Sequence, residues 1–457
     1  MMKKVCIVVL LLISIAEIGL SQSFQGAWAG KLSVQEEELP LLFEFRYNGQ
    51  WEGTLQSPKQ SSQKFPLSTI RTQGDSIFFT VEKLGIKFSG QLVEHRMNIR
   101  GEFQQGPFKT MLMLDRINGN TAVAPATYKR SQRVTPPYSY DTLDVVFGDK
   151  LDNGVTLAGT ITKPREAGKF PAVILVTGSG PQDRNELMMG HEPFKVIADY
   201  LTSNGIIVLR YDDRGIGKST GSFSKATTGD FGKDALAALN FLKSDSQVDP
   251  NKIGVLGHSE GGLIAYILAG QRAPSVNFLI SLAGPSIKMD SLMMLQNMAV
   301  MKSLGKEMTS KDSELIRENF AIAKGDLPAD QALKAIMKNM ESVPNSQNST
   351  FADEIGVLIT PWYRHFLKID PVPFIKKINV PVFAAFGGKD IQVPATQNME
   401  SLTHNLQPNS KSKLKIYPNF NHLFQNAKTG SIKEYAEIGE SINEQILEDI
   451  VVWIKAL

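Results

Sequence analysis

A chain of 457 residues exceeds one core of ordinary size and allows two or three domains, and its 42% hydrophobic and 21% charged content is that of a soluble globular protein. Its 49 basic residues exceed the 46 acidic ones by three, an excess too small and too scattered to suggest a nucleic-acid partner. One cysteine excludes a disulfide framework.

The first residues read as a targeting segment. Lys3 and Lys4 form a basic start, Val5 to Ile15 an apolar run, and Gly19-Leu20-Ser21 offers small residues for a signal peptidase, so residues 1–21 are expected to be a cleaved signal peptide. The run is short for a bilayer span, and no stable membrane segment is expected after cleavage. Cys6 lies inside the apolar run, which argues against a lipidated N-terminus and leaves the mature protein without cysteine. The expected location is exported, periplasmic or secreted.

Residues 22–117 read as an antiparallel all-β domain. Alternation runs through Leu41 to Tyr47, Ser76 to Glu82, Ile86 to Leu92 and Met97 to Phe103, broken by Asn48-Gly49, Gly74-Asp75 and Gly106-Pro107, and predicts hairpins curling into a small barrel or sandwich. His95, Trp28 and Trp51 read there as surface or core residues rather than ligands or a binding platform. Residues 118–138, with Ala124-Pro125-Ala126 and Pro136-Pro137, read as an extended linker.

From residue 139 to 457 the grammar changes. After a hairpin-like pair (Leu143 to Phe147, Thr156 to Thr162), near-continuous apolar strands at Ala172, Gly205, Ile253, Phe278, Val380 and Lys413 alternate with amphipathic helices. That alternation predicts a doubly wound, mostly parallel sheet covered on both faces. Between Gly284 and Val380 the strands are interrupted by methionine-rich helical patterns, a cap expected over residues 286–372.

The chemistry concentrates in Asn251 to Gly270, where a short apolar strand runs into Gly257-His258-Ser259-Glu260-Gly261 and then an Ala/Leu/Ile-rich helix expected from about Gly262. A Gly-x-Ser-x-Gly between strand and helix is the context of a nucleophile elbow, in which Ser259 is held on a strained turn. A serine hydroxyl near neutral pH needs a base and a group to orient that base. Of six histidines, His95 lies in the other domain, His258 in the turn itself and expected to point elsewhere, His365 in the cap, His191 too early and His404 within a helix. His422, after the strand Lys413 to Pro418, is the expected base. The expected acid is Asp390, at the tip of VFAAFGGKD, with Asp290 as its competitor. The backbone amides of Glu260 and of Ser179, or its neighbours in Gly178-Ser179-Gly180-Pro181, are the expected oxyanion donors.

Two other signals carry little. Gly217-Lys218-Ser219 resembles the end of a phosphate loop, but Asp212 stands where its first glycine belongs, and the charges of Arg210 to Gly215 read as a turn lock. No His-Glu-x-x-His or comparable spacing occurs, so neither metal nor cofactor is expected.

Taken together, GSGPQDRNE (Gly178 to Glu186), GHEPF (Gly190 to Phe194), RYDDRGIGKSTG (Arg210 to Gly221), GHSEGG (Gly257 to Gly262), PWYRHFLKIDP (Pro361 to Pro371) and GGKDIQV (Gly387 to Val393) resemble the bacterial EstD-type carboxylesterases of the α/β-hydrolase superfamily. The resemblance implies an eight-stranded sheet, a helical cap, a triad of Ser259, Asp390 and His422, and cofactor-free hydrolysis of a small-molecule, short-chain ester. Peptidase or acyltransferase chemistry on the same scaffold is the alternative, and the natural ester and the oligomeric state are not legible.

Overall fold

The computed structural model describes residues 24–34, 37–60, 63–93, 98–106, 108–117, 130–148, 154–273, 276–303, 305–341 and 355–457. They form two compact units. The first runs up to Thr127 and includes the described residues of Ser342–Val357; the second is Tyr128–Glu341 with Leu358–Leu457.

The first unit is one antiparallel sheet of β1 (Gly26–Val34), β2 (Glu37–Tyr47), β3 (Trp51–Gln56), β4 (Phe65–Pro66), β5 (Thr69–Gln73), β6 (Ser76–Val81), β7 (Ile86–Val93), β8 (Asn98–Gln105) and β9 (Phe108–Ile117), ordered β4-β3-β2-β1-β9-β8-β7-β6-β5. Only Leu67 and Ser68 separate β4 on one edge from β5 on the other. So short a connection cannot cross an open sheet, since each residue extends the chain by at most about 3.6 Å. The sheet therefore curls into a barrel with an open seam, where the Leu67 N–H donates to the Gly53 carbonyl at 2.9 Å. Inward positions carry the core: Phe43, Phe45, Phe79 and Phe88 cluster with ring centres 4.8 to 6.5 Å apart. β9 escapes a simple reading of alternation because its outward positions, Met111 and Met113, are as apolar as the inward Leu112 and Leu114. Trp28 is wholly buried with its indole N–H on the Phe24 carbonyl, and Trp51 donates to Thr72, so both are structural. His95 lies outside the described residues.

The second unit carries β10 (Asp141–Phe147), β11 (Leu157–Lys163), β12 (Phe170–Val176), β13 (Ile207–Tyr211), β14 (Val248–His258), β15 (Phe278–Leu282), β16 (Val382–Gly387) and β17 (Lys413–Tyr417), ordered β10-β11-β13-β12-β14-β15-β16-β17. β11 pairs antiparallel with β10 and β13, and every later pairing is parallel. β13, β15 and β16 are buried along their whole length, as strands covered on both faces must be. Helices α1 (Pro193–Ser203), α2 (Thr228–Lys243) and α3 (Glu260–Gly270) follow β12, β13 and β14. α3 is apolar nearly all round, with Leu263, Ile264, Ala265, Tyr266, Leu268 and Ala269 buried, the composition of a helix enclosed on every side.

Helices α4 (Met289–Ser303), α5 (Ser310–Lys324), α6 (Ala329–Asn339), α7 (Pro361–Phe366) and α8 (Val372–Ile375) lie between β15 and β16, followed by α9 (Ala395–Asn405), α10 (Ile432–Tyr435) and α11 (Glu444–Lys455). Arg364 holds the cap together, donating to the carbonyls of Ala323, Gly325 and Leu327. Tyr363 and Phe366 are buried, whereas Met298 is exposed, so the apolar residues of the cap divide between packing and surface. Arg130 and Gln132, ahead of β10, are bound into this unit: Arg130 donates to the carbonyls of Ala436 and Ile438, and Gln132 to that of Ile442. Among the described residues no helix is long and apolar enough to cross a membrane.

Candidate active site

The parallel strands deliver four chain segments to one edge. Ser259 follows β14, Asp390 follows β16, His422 follows β17 and Gly178-Ser179 follows β12, all at the carboxyl ends, where open α/β sheets bind ligands. β14 runs through to His258 and α3 opens at Glu260, two residues earlier than expected, so Ser259 is a one-residue corner between strand and helix.

That corner is strained. Ser259 has φ 52° and ψ −118°, a conformation rare for a residue with a side chain. The flanking glycines are dictated by contact: a Cβ on Gly257 would lie 2.0 Å from the Gly261 carbonyl oxygen, and one on Gly261 would lie 2.0 Å from that of Val176. The corner's fourth side is the loop after β12, since a Cβ on Gly178 would lie 3.2 Å from the Ser259 Cβ. The Ser259 N–H is used in the sheet, donating to the Leu282 carbonyl at 2.8 Å. The Glu260 N–H opens α3, where the first amides have no intrahelical acceptor and the helix dipole is positive.

His422 and Asp390 are brought together, with Nδ1 2.7 Å from Oδ2 and both side chains buried. The other Asp390 oxygen accepts the N–H groups of Gln392 (2.8 Å) and Val393 (2.9 Å), which fixes the carboxylate's rotation. Asn421 accepts the N–H groups of Leu423 and Gln425 at 3.0 Å and so shapes the loop bearing His422. No direct hydrogen bond joins the Ser259 hydroxyl to His422 among the described residues, and such bonds characteristically tighten only in the substrate complex.

The competing residues are engaged elsewhere. Asp290 lies on α4 in a 2.5 Å ion pair with Lys324; burial opposes its charge, but the Lys324 ammonium holds its carboxyl below the usual range. His191 is buried between the Tyr435 carbonyl (2.7 Å) and the Ser441 hydroxyl (3.1 Å), and that burial pushes it down to about 4. The charges after β13 lock the turn: Asp212 pairs with Arg184 at 2.8 Å, Arg214 with Asp234 at 2.7 Å, and Asp213 accepts from Thr177 and the Gln182 amide.

Three side chains of the site were not legible beforehand. His258 does not point away; its ring centre is 4.8 Å from that of His422, its Nε2 3.0 Å from the His422 carbonyl and its Nδ1 2.9 Å from Glu186 Oε1. Glu186, itself at φ 53°, also accepts the Gly178 N–H at 2.8 Å. Glu260 supplies more than an amide, since its buried carboxylate accepts the Thr228 hydroxyl at 2.7 Å and the Trp362 indole N–H at 2.9 Å. Burial pushes the Glu260 carboxyl up, against the pull of the Thr228, Trp362 and Ser179 donors. The sequence signal for Glu186 was its place in GSGPQDRNE, but nothing in that run announces which residue faces the corner.

This strand order and elbow define an α/β hydrolase, and the chain is a serine hydrolase. It belongs to the Hydrolase_4 family, serine aminopeptidase S33, whose model matches residues 192–428. It is 26% identical over 365 residues to Esterase EstD of Thermotoga maritima, covering 78% of this chain and 79% of the relative. It is also 30% identical over 120 residues to Dipeptidyl-peptidase 5 of Porphyromonas endodontalis, which spans 25% of this chain and 17% of that one. Among solved structures, an esterase of Pyrococcus furiosus matches 72% of this chain and 98% of its own at 18% identity, with a TM-score of 0.43.

Proposed function

We propose that the chain hydrolyses short-chain carboxylic esters through an acyl-enzyme, and that it does so after export and removal of residues 1–21. Ser259 Oγ attacks the ester carbonyl while His422 Nε2 takes its proton. Asp390 holds the imidazole by Nδ1, and the amides of Glu260 and Ser179 receive the oxyanion. The tetrahedral intermediate expels the alcohol, which takes the proton from His422. Water, deprotonated by the same imidazole, then releases the acid and regenerates the serine.

The family includes aminopeptidases, so the reading turns on one observation: the carboxylates around the corner are already engaged. Glu260 is taken by Thr228 and Trp362, Glu186 by His258 and the Gly178 amide, and Asp390 by His422 and two amides. An aminopeptidase must hold a substrate ammonium, and a carboxylate committed to internal donors is not offered to one. The similarity to Esterase EstD over most of both chains supports the same reading.

The test is kcat/KM for acetyl to butyryl esters against matched aminoacyl amides. The ester values should exceed the amide values by at least about two orders of magnitude, or roughly 2.7 kcal/mol in transition-state stabilisation. Comparable values refute the esterase reading and establish the peptidase. Export is checked by the N-terminus of the protein recovered from its native host, which should begin after Ser21.

A further inference from the structure

A chain of three hydrogen-bond contacts spans the site without using any residue of the triad's side chains. It runs from the Gly178 N–H to Glu186 Oε1 (2.8 Å), from Glu186 Oε1 to His258 Nδ1 (2.9 Å), and from His258 Nε2 to the His422 carbonyl (3.0 Å). It joins the loop expected to bind the oxyanion to the loop that carries the base. Both residues are buried, His258 at 7% and Glu186 at 2% exposure, so water does not complete these bonds.

The proton inventory of His258 follows from its partners. A backbone carbonyl can only accept, so Nε2 carries a hydrogen; a carboxylate can only accept, so Nδ1 carries one as well. We propose that His258 is a permanently doubly protonated imidazolium, paired with Glu186, and that this pair is a positioning device setting the base loop against the oxyanion loop. The proposal rests on the esterase reading only for the reaction used to test it.

The charged and titratable groups facing His258 are Glu186, Asp390 and the neighbouring ring of His422. Burial opposes the charge on His258, and the Glu186 carboxylate outweighs it, so the ring holds its proton above the ordinary histidine range. Glu186 also sits at φ 53°, a backbone strain tolerated where its carboxylate is required in one place. A neutral ring would leave one of the two acceptors without a donor, and the His422 loop would lose a tether. Displacement of catalytic groups by about 1 Å costs on the order of a hundredfold in rate.

Two measurements test this. The first needs no activity: 15N–1H NMR of the uniformly labelled full-length protein at pH 8 should show both His258 nitrogens protonated, and His258 should become neutral in Glu186→Gln. A bare ring nitrogen on His258 in the native protein at pH 8 overturns the proposal. The second measures turnover of a short activated ester by Glu186→Gln and His258→Phe. In each, kcat should fall about 10- to 100-fold with KM changed less than about threefold, the split expected when groups are mispositioned around an intact pocket. Values of kcat within twofold of native in a folded variant overturn it. Ser259→Ala separates the two readings: if that variant still hydrolyses the ester, the triad assignment has failed rather than the positioning pair. Should His258→Phe not fold, the protonation state and Glu186→Gln still decide.

Discussion

Replacing Asp390 by asparagine should nearly abolish turnover while leaving the fold intact, for a reason that can be followed atom by atom. One Asp390 oxygen accepts two backbone N–H groups, from Gln392 at 2.8 Å and Val393 at 2.9 Å, and the other faces His422 Nδ1 at 2.7 Å. An amide NH2 cannot replace the first oxygen without opposing two donors. It must therefore take the second place, where it donates to Nδ1 and forces the ring proton onto Nε2. The imidazole is then in the tautomer that cannot accept the serine proton. An equivalent change of tautomer in a serine triad costs about ten-thousandfold in kcat, or roughly 5.4 kcal/mol. The assay is kcat for a short p-nitrophenyl ester at pH 7, with circular dichroism and labelling by a fluorophosphonate as controls. Asp290→Asn should stay close to native, because it breaks only the pair with Lys324 in the cap. An Asp390→Asn enzyme within tenfold of native, or a severe loss in Asp290→Asn, refutes the assignment of the acid.

Three further outcomes follow from particular contacts. Trp362→Phe keeps the stack on Phe366 but removes the indole donor to the buried Glu260 carboxylate. A hydrogen bond to a charged group contributes about 1.5–3 kcal/mol, so the unfolding transition of the second unit should weaken by that amount; a change below about 0.5 kcal/mol would show that the cap is not anchored there. Asp213 accepts hydrogen bonds from the Thr177 hydroxyl and the Gln182 N–H, and burial raises its carboxyl well above the usual range. A raised folded-state pKa stabilises the protein below the unfolded value and loses that contribution as pH rises through the folded one, by at most about 1.4 kcal/mol per pH unit. Asp213→Asn, whose amide can donate to Thr177 and accept from Gln182, should therefore gain thermal stability relative to native between pH 5 and pH 8; a native protein that gains on the variant over that range contradicts the argument. Finally, a chain truncated to begin at Tyr128 should keep esterase activity, since Arg130 and Gln132 are bonded into the second unit. A folded but inactive product would show that the first unit contributes to turnover.

What the sequence determined by itself is whatever a local pattern can encode. Continuous apolar strands between amphipathic helices specify a covered parallel sheet, and Gly257, Ser259 and Gly261 encode the elbow as a five-residue pattern between strand and helix, although only the need for glycine at Gly257 is met within that run and Gly261 answers to the Val176 carbonyl on β12. Asp390 and His422 were legible as candidates because each follows a strand whose carboxyl end is bound to lie on the same edge, whatever the details of packing.

Tertiary structure alone decided which polar side chains converge. Glu186 and His258 are 72 positions apart, and Glu260 and Trp362 are 102 apart, so no window of sequence contains either contact. His258 was expected to point elsewhere as the residue beside Ser259 in the turn. It was the arrival of Glu186 at one ring nitrogen and of the His422 carbonyl at the other that turned an apparent bystander into a bridge. The same holds for the barrel, where alternation announces strands but closure depends on β4 and β5 meeting across the whole width of the sheet. Period and turn chemistry fix where elements begin and which face they bury. The pairing of distant charges is fixed only once burial removes water and leaves each group the partners the fold supplies.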